Sequence, residues 1–552
     1  MSALTPDIVL KKTWQRIPSH LKVTFFSAFL IGIFANLYLI TNFLPNHDEV
    51  LFIIASGQNE WGPGHGRWLL EFTVALTGIF SLPWVNGLLS ILYLSISACM
   101  VIQITRVKNT IYCILISGIM MLFPTVAAIL TFMQLSAPFF LSLMLACFSA
   151  FLADRYKYGY IFATIPIVLS MAIYQAFYSV TAALLILVLV LEVLDNQTSW
   201  QKTVIKGLKF AGALIFGMIM YLISVRIIYP DGLSMDYQGL DQMGQISLSD
   251  LPFLIRTSYV EIIKFFVIDN RNLHYSFMNI LFILSFVACG ILIVFLCIKK
   301  KIYHEPIKLL LLSALLIMLP FGCNLIYLMG ATLVHELMIY ATVFIFVLLL
   351  IIAGLFLGVE KKDFNESNNN KIFEIIPKIS AWFITIVMIV TMYNYWIFSN
   401  QMYFKLNIEY QTTYAQSILL VSHIQSTPGY TYDKDIVILG SPPYFTQGIP
   451  ELQQIQIKGV TYEKLLGCCV YPYFLRNFLN FTQNVEHLWH NDLFLGVINR
   501  DEDVIKAMTI MCNMPVFPNS GSIVIVDDVI YVKFSHINVE HFEIYCCISY
   551  GE

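Results

Sequence analysis

The chain has 552 residues, 58% of them hydrophobic and only 12% charged, with a formal net charge of −3. A soluble domain carries about a quarter charged residues, so a wholly water-exposed fold is excluded. The small net charge, with no basic cluster interleaved with aromatics, sets nucleic acid aside as a partner.

In chain order, Lys11, Lys12, Arg16 and Lys22 lead into an apolar run over 23–44. The run is too long for a secretory signal core and ends in Phe43-Leu44-Pro45-Asn46 with no small-residue cleavage pattern, so it is expected to stay attached as a first membrane span. Further apolar runs predict spans at 84–105, 110–130, 136–153, 158–174, 176–194, 208–228, 275–298, 307–322, 338–358 and 378–398. At about 1.5 Å per residue such runs cross a hydrocarbon core of about 30 Å. Only helices and closed barrels satisfy their backbone there, and continuous rather than alternating apolar character reads as helix. The expected fold class is an α-helical polytopic membrane protein of about 11 transmembrane helices. The expected division is a transmembrane domain over 1–398, with a first outer loop at 45–83, and a C-terminal domain over 399–552.

Lys and Arg set the expected orientation, because short cytoplasmic loops are enriched in them. A cytoplasmic N-terminus keeps inside Arg106, Lys108, Arg155, Lys157, Lys202, Lys206, Lys209, Lys299, Lys300, Lys301, Lys308, Lys361, Lys362, Lys371 and Lys378. The loops left outside then hold Arg67, Arg226, Arg256, Lys264 and Arg271. Three segments face the far side: the loop 45–83, the loop 229–274, and everything after about Ser399. The last has the length of one small domain. It reads as a helix over 410–424, a strand at 436–439, and a hairpin of 523–526 and 529–534 around Asp527-Asp528, hence α/β or α+β. The polar stretch 365–370 reads as a cytoplasmic connection. Five cysteines (Cys468, Cys469, Cys512, Cys546, Cys547) lie in the outer domain, where disulfides are permitted. Their odd number fixes no pairing.

Chemistry-bearing residues gather in the first outer loop. Asp48 and Glu49 are adjacent carboxylates just after the first span, suited to act as a general base, to position a divalent cation, or merely to end a helix in solvent. His47, His65 and Arg67 add proton-transfer and phosphate-binding groups. From Arg67 to about Leu82 an amphipathic helix is expected, with Trp68 and Phe72 at the interface and Arg67 meeting Glu71 four residues on. Near the same face lie Tyr174 and Gln175, at the turn between the fifth and sixth spans, and His335 with Glu336 before the tenth. Polar residues at such depth are candidates for function, with satisfaction between helices as the alternative.

These residues carry a resemblance. Asn46-His47-Asp48-Glu49 directly after a first span, then Gly66-Arg67-Trp68, resembles the glucosyl transferase II family of serotype-converting O-antigen glucosyltransferases. Ile173-Tyr174-Gln175-Ala176, the segment 400–424, Met514-Pro515-Val516-Phe517-Pro518 and Ser520-Gly521-Ser522-Ile523 are similar in the same order. That family in turn resembles the GT-C class of membrane glycosyltransferases. The resemblance implies a bacterial inner-membrane enzyme moving glucose from undecaprenyl phosphate glucose to O-antigen repeat units of lipopolysaccharide, with its C-terminal domain periplasmic. It implies acidic residues at work in the first outer loop, here Asp48 or Glu49, and with the residue reading above the substrate-binding candidates are His47, His65, Arg67, Tyr174, Gln175 and His335. The resemblance implies two aspartates where this chain has Asp48-Glu49, a departure that keeps the acidic chemistry and weakens the expectation of a divalent cation. Rival readings are an O-antigen polymerase, against which the large outer domain argues, and a lipid-linked glycan flippase or transporter, for which inverted repeats and mid-span ionisable residues are expected and not apparent. The loop charges give a direct expectation: a reporter fused after Glu552 is active only outside the cytoplasm and one fused at Lys362 only inside. A cytoplasmic C-terminus overturns the span assignment.

Overall fold

The computed structural model describes residues 5–52, 65–230, 247, 249–269, 273–329, 334–357, 371–440, 452, 455, 470–488 and 502–534. Trp61 to Gly64, Arg271, Lys361, Lys362, the 365–370 stretch, Cys468, Cys469, Cys546 and Cys547 lie outside these. The chain divides into two compact units, residues 1–43 with 58–401, and residues 44–57 with 402–552.

The first unit is helical. Among the described residues, nine helices are long and apolar enough to cross a membrane, or up to ten counting one bent pair. The expected span at 110–130 is that pair, Thr110–Leu122 and Pro124–Leu130, meeting at 46°. Pro124 is the cause: it lacks the N–H that would continue the ladder, and Phe123 before it leaves the helical region at φ −56° and ψ 136°. The expected span at 158–174 is the shorter apolar stretch Gly159–Ile173, interrupted near Ala163. Helix Tyr340–Leu357 is mostly buried among the others, whereas most of Trp200–Ile228 is exposed. Phe34, Leu208, Ile227 and Leu310 point outward, more than 60% exposed, as side chains facing lipid do. Close helix approaches use glycine: a Cβ on Gly87 would stand 2.5 Å from Ile40, and one on Gly217 2.7 Å from Ile167. At the end expected to be cytoplasmic, Lys206 donates to Asp154 at 2.6 Å and Glu192 at 2.8 Å, tying three helices together.

The second unit is α/β. Strands β1 (Asp435–Leu439), β2 (Val485–Leu488), β3 (Ile523–Val526) and β4 (Val529–Lys533) form one sheet in the order β2-β1-β4-β3. β1 runs parallel to β2 and β4, and β3 pairs antiparallel with β4. The hairpin turns at Asp527 and Asp528, both with positive φ, the geometry of a two-residue turn whose twist matches its strands. Alternation sorts the faces. Ile436, Ile438, Ile530 and Val532 join Leu420, Ile424, Tyr471, Phe474 and Leu475 in one core. Leu439 and Tyr531 pack on the other face against Val504, Met508 and Met511 of helix Glu502–Met511. Strand β2, with the mixed sequence Val485-Glu486-His487-Leu488, carries no periodic signal and escapes sequence reading. The helix expected over 410–424 is the end of a single helix, Lys371–Ser426. Because Ile438 is fully buried in the central strand, Ile438→Ala is expected to destabilise this unit by about 2–5 kcal/mol. Limited proteolysis of the full-length protein in detergent checks this: faster cleavage after residue 401, with unit one unaffected.

Candidate active site

The acidic pair belongs to the second unit, on a short helix, His47–Phe52. Asn46 caps it: the Glu49 N–H donates to Asn46 Oδ1 at 3.0 Å, and the Asn46 N–H donates to Glu49 Oε2 at 3.3 Å. This reciprocal pairing of a capping residue with the acid three positions on is a capping box. It takes one Glu49 oxygen, and the Glu49 side chain is buried. Asp48, one residue earlier, points elsewhere. Its Oδ1 lies 3.0 Å from His47 Nε2, and its side chain keeps 25% of its surface exposed. Of the two adjacent carboxylates, one builds the helix start and the other is partly exposed, with an imidazole beside it.

Arg67 belongs to the first unit, where a chain break sets its surroundings. Helix Thr164–Ile173 ends as Tyr174 turns extended (φ −153°, ψ 106°), and Gln175–Phe177 makes a single 3-10 turn before the next helix, Tyr178–Asp195. Gln175 is thereby turned toward the 65–69 segment, whose Leu69 N–H also donates to the Ala172 carbonyl at 3.0 Å. The Arg67 Nε donates to Gln175 Oε1 at 3.0 Å. The Gln175 amide nitrogen donates to the His65 carbonyl at 2.6 Å and to the Tyr221 hydroxyl at 3.0 Å. That hydroxyl in turn donates to the Gly66 carbonyl at 3.2 Å. Gly66 has φ +73°, and a Cβ there would stand 2.9 Å from the Tyr221 oxygen, so conformation and space both require glycine. The guanidinium carbon lies 5.0 Å from the centre of the Tyr174 ring, which is itself stacked on Phe139 at 4.2 Å. The Trp68 indole donates to Ser224 at 3.1 Å.

Arg67 is 8% exposed. Among the described residues it forms no ion pair, and its single hydrogen bond uses Nε. Its terminal nitrogens thus form the fork that binds a phosphate or carboxylate in bidentate fashion. A buried cation without a carboxylate beside it is costly, and an anionic ligand removes that cost.

The structure therefore brings together His65, Arg67, Tyr174 and Gln175 in one unit, and His47, Asp48 and Glu49 in the other. His335 stands at a different junction, ahead of the 3-10 turn Glu336–Met338, where the Glu336 carbonyl accepts from Thr125 at 2.6 Å. Two expectations are corrected. Arg67 precedes the helix Leu70–Leu76 instead of starting it, and its partner is Gln175, while Glu71 is exposed. The helix also stops at Leu76, because Gly78 and Ile79 take positive φ, and so does not reach Leu82. Phe72 is 61% exposed, as expected of an interfacial side chain. Sequence reading missed Tyr221 and Ser224, although polar groups within an apolar run are a signal. Among the described residues no group of three or more His, Cys, Asp or Glu could hold a metal ion. Cys512 is a free thiol.

The fold is that of a helical membrane protein, with a partly exposed carboxylate at Asp48 in one unit and a buried guanidinium at Arg67 in the other. The chain belongs to the glucosyl transferase GtrII family, whose model matches residues 37–352. No curated protein and no solved structure matches it. Since the Tyr221 hydroxyl bridges Gln175 and Gly66, Tyr221→Phe strands the Gly66 carbonyl and is expected to cost about 1–3 kcal/mol. Thermal unfolding in detergent reads the loss.

Proposed function

We propose that this glucosyl transferase moves glucose from undecaprenyl phosphate glucose to a hydroxyl of an O-antigen repeat unit, at the periplasmic face of the bacterial inner membrane. The observation that carries the reading is the Arg67 guanidinium, buried and paired with no carboxylate among the described residues. Its fork matches the phosphate of the donor. The acceptor hydroxyl attacks the anomeric carbon, the bond from that carbon to the phosphate oxygen breaks, and undecaprenyl phosphate departs. Asp48 takes the hydroxyl proton. Arg67 meets the charge that grows on the leaving phosphate, a term that enzymes exploit heavily. His47, 3.0 Å from Asp48, holds that carboxylate in place. Glu49 serves the helix start. No step here needs a cation. The excess of Lys and Arg in the alternate loops supports a periplasmic site.

The test uses purified protein and polyprenyl-phosphate glucose with an O-antigen acceptor. Asp48→Asn keeps size and loses the base, so turnover is expected to fall by about a hundredfold to ten-thousandfold at normal expression. Glu49→Gln preserves the capping box, which accepts either residue, and is expected to keep turnover near the parent value. Arg67→Lys keeps charge but not the fork, and a raised donor KM is expected. Full turnover of Asp48→Asn, or a donor KM unmoved in Arg67→Lys, removes that residue from the proposed site.

A further inference from the structure

The helix that carries Asp48 has six residues. Isolated helices shorter than about 12 residues are marginal in water, so its position must be imposed from outside. Its start is closed by the Asn46 and Glu49 box. Its other end is also met by a group from elsewhere in the chain. The Val50 carbonyl accepts from the Asn477 side-chain amide at 3.0 Å. Asn477 lies on helix Val470–Leu479, whose Tyr471, Phe474 and Leu475 share a core with the fully buried Val50 side chain. A side chain from one helix thus closes the ladder of the other, while packing holds the two together.

We infer that Asn477 is a positioning residue for Asp48: the C-terminal unit is the frame of the acidic helix, and the Asn477 amide fixes where its carboxylate stands. The inference rests on the assignment of Asp48 as base. It makes the C-terminal unit part of the catalytic apparatus in its own right, whatever else that unit binds. Asn477 touches no reacting atom; it acts through the backbone of residue 50.

Asn477→Leu keeps volume and removes the donor. Misplacement of a reacting group by about 1 Å costs on the order of a hundredfold, so the variant is expected to lose about ten- to a hundredfold in kcat, with donor KM within about twofold of the parent. The resistance of the full-length protein to limited proteolysis should be unchanged. The decisive measurement is a double-mutant cycle, because residues acting through one group are non-additive. In the Asp48→Asn background, Asn477→Leu is expected to cost nothing further. Full turnover of Asn477→Leu, or the same fractional loss with and without Asp48, overturns the inference. Should Asn477→Leu be cleaved faster than the parent, Asn477→Ala, which removes the donor without adding a branched apolar side chain, is judged by the same two criteria. Full turnover of Asp48→Asn alone would strike at the base assignment instead, and the inference would fall with it.

Discussion

A guanidinium withdrawn from water costs several kcal/mol unless its donors find acceptors, and Gln175, Tyr221, Gly66 and Tyr174 are arranged around Arg67. One acceptor is neutral: the Gln175 amide oxygen takes the Nε proton. For Gln175 to do so it must leave the regular helix, which explains why the apolar stretch Gly159–Ile173 stops short and the chain turns at Tyr174. The amide's other end then needs two acceptors, and receives the His65 carbonyl and the Tyr221 hydroxyl. Tyr221 can approach only because residue 66 lacks a side chain. A neutral partner supports the cation without cancelling it. A carboxylate in the place of Gln175 would neutralise the fork and remove its attraction for a phosphate.

The two adjacent acids show how one helical turn divides labour. Successive residues on a helix point about 100° apart, so neighbouring carboxylates face different surroundings. Glu49, at the third helical position, reaches back to the Asn46 N–H. Asp48 is at the second position, turned toward His47 and toward solvent. Composition alone makes the pair look like a shared site. Geometry makes it a cap and a candidate base. The longer side chain of the pair, Glu49, is the one that closes the capping box.

The membrane spans were legible because hydropathy over about 20 residues is a strong, local signal. Breaks within them were less so. Pro124 flags the bend between Thr110–Leu122 and Pro124–Leu130, but a sliding window averages through it. In the outer domain the alternation in 436–439 and the Asp527-Asp528 turn were readable, whereas β2, with Glu486 and His487 at its centre, was not. At the site, residue types were legible and partners were not. The spacing of Arg67 and Glu71 invited a helical pair, yet Arg67 lies ahead of the helix, and its partner stands 108 positions away. Long-range pairing of this kind leaves no period in the sequence to be read.

That same non-locality bears on how the enzyme comes to be assembled. Chains fold broadly from the N-terminus as they are made. The cradle of Arg67 needs nothing beyond Ser224, so the first seven predicted spans suffice to complete it. The acidic helix, although it precedes Arg67 in the chain, closes onto Asn477, 427 positions away, and shares its core with β4. Contacts that distant are formed late, after their loop entropy has been overcome. The group proposed to hold the anion is therefore organised before the group proposed to take the proton. A chain cut short before residue 470 would keep the surroundings of Arg67 yet lack Asn477 and the core that hold the acidic helix.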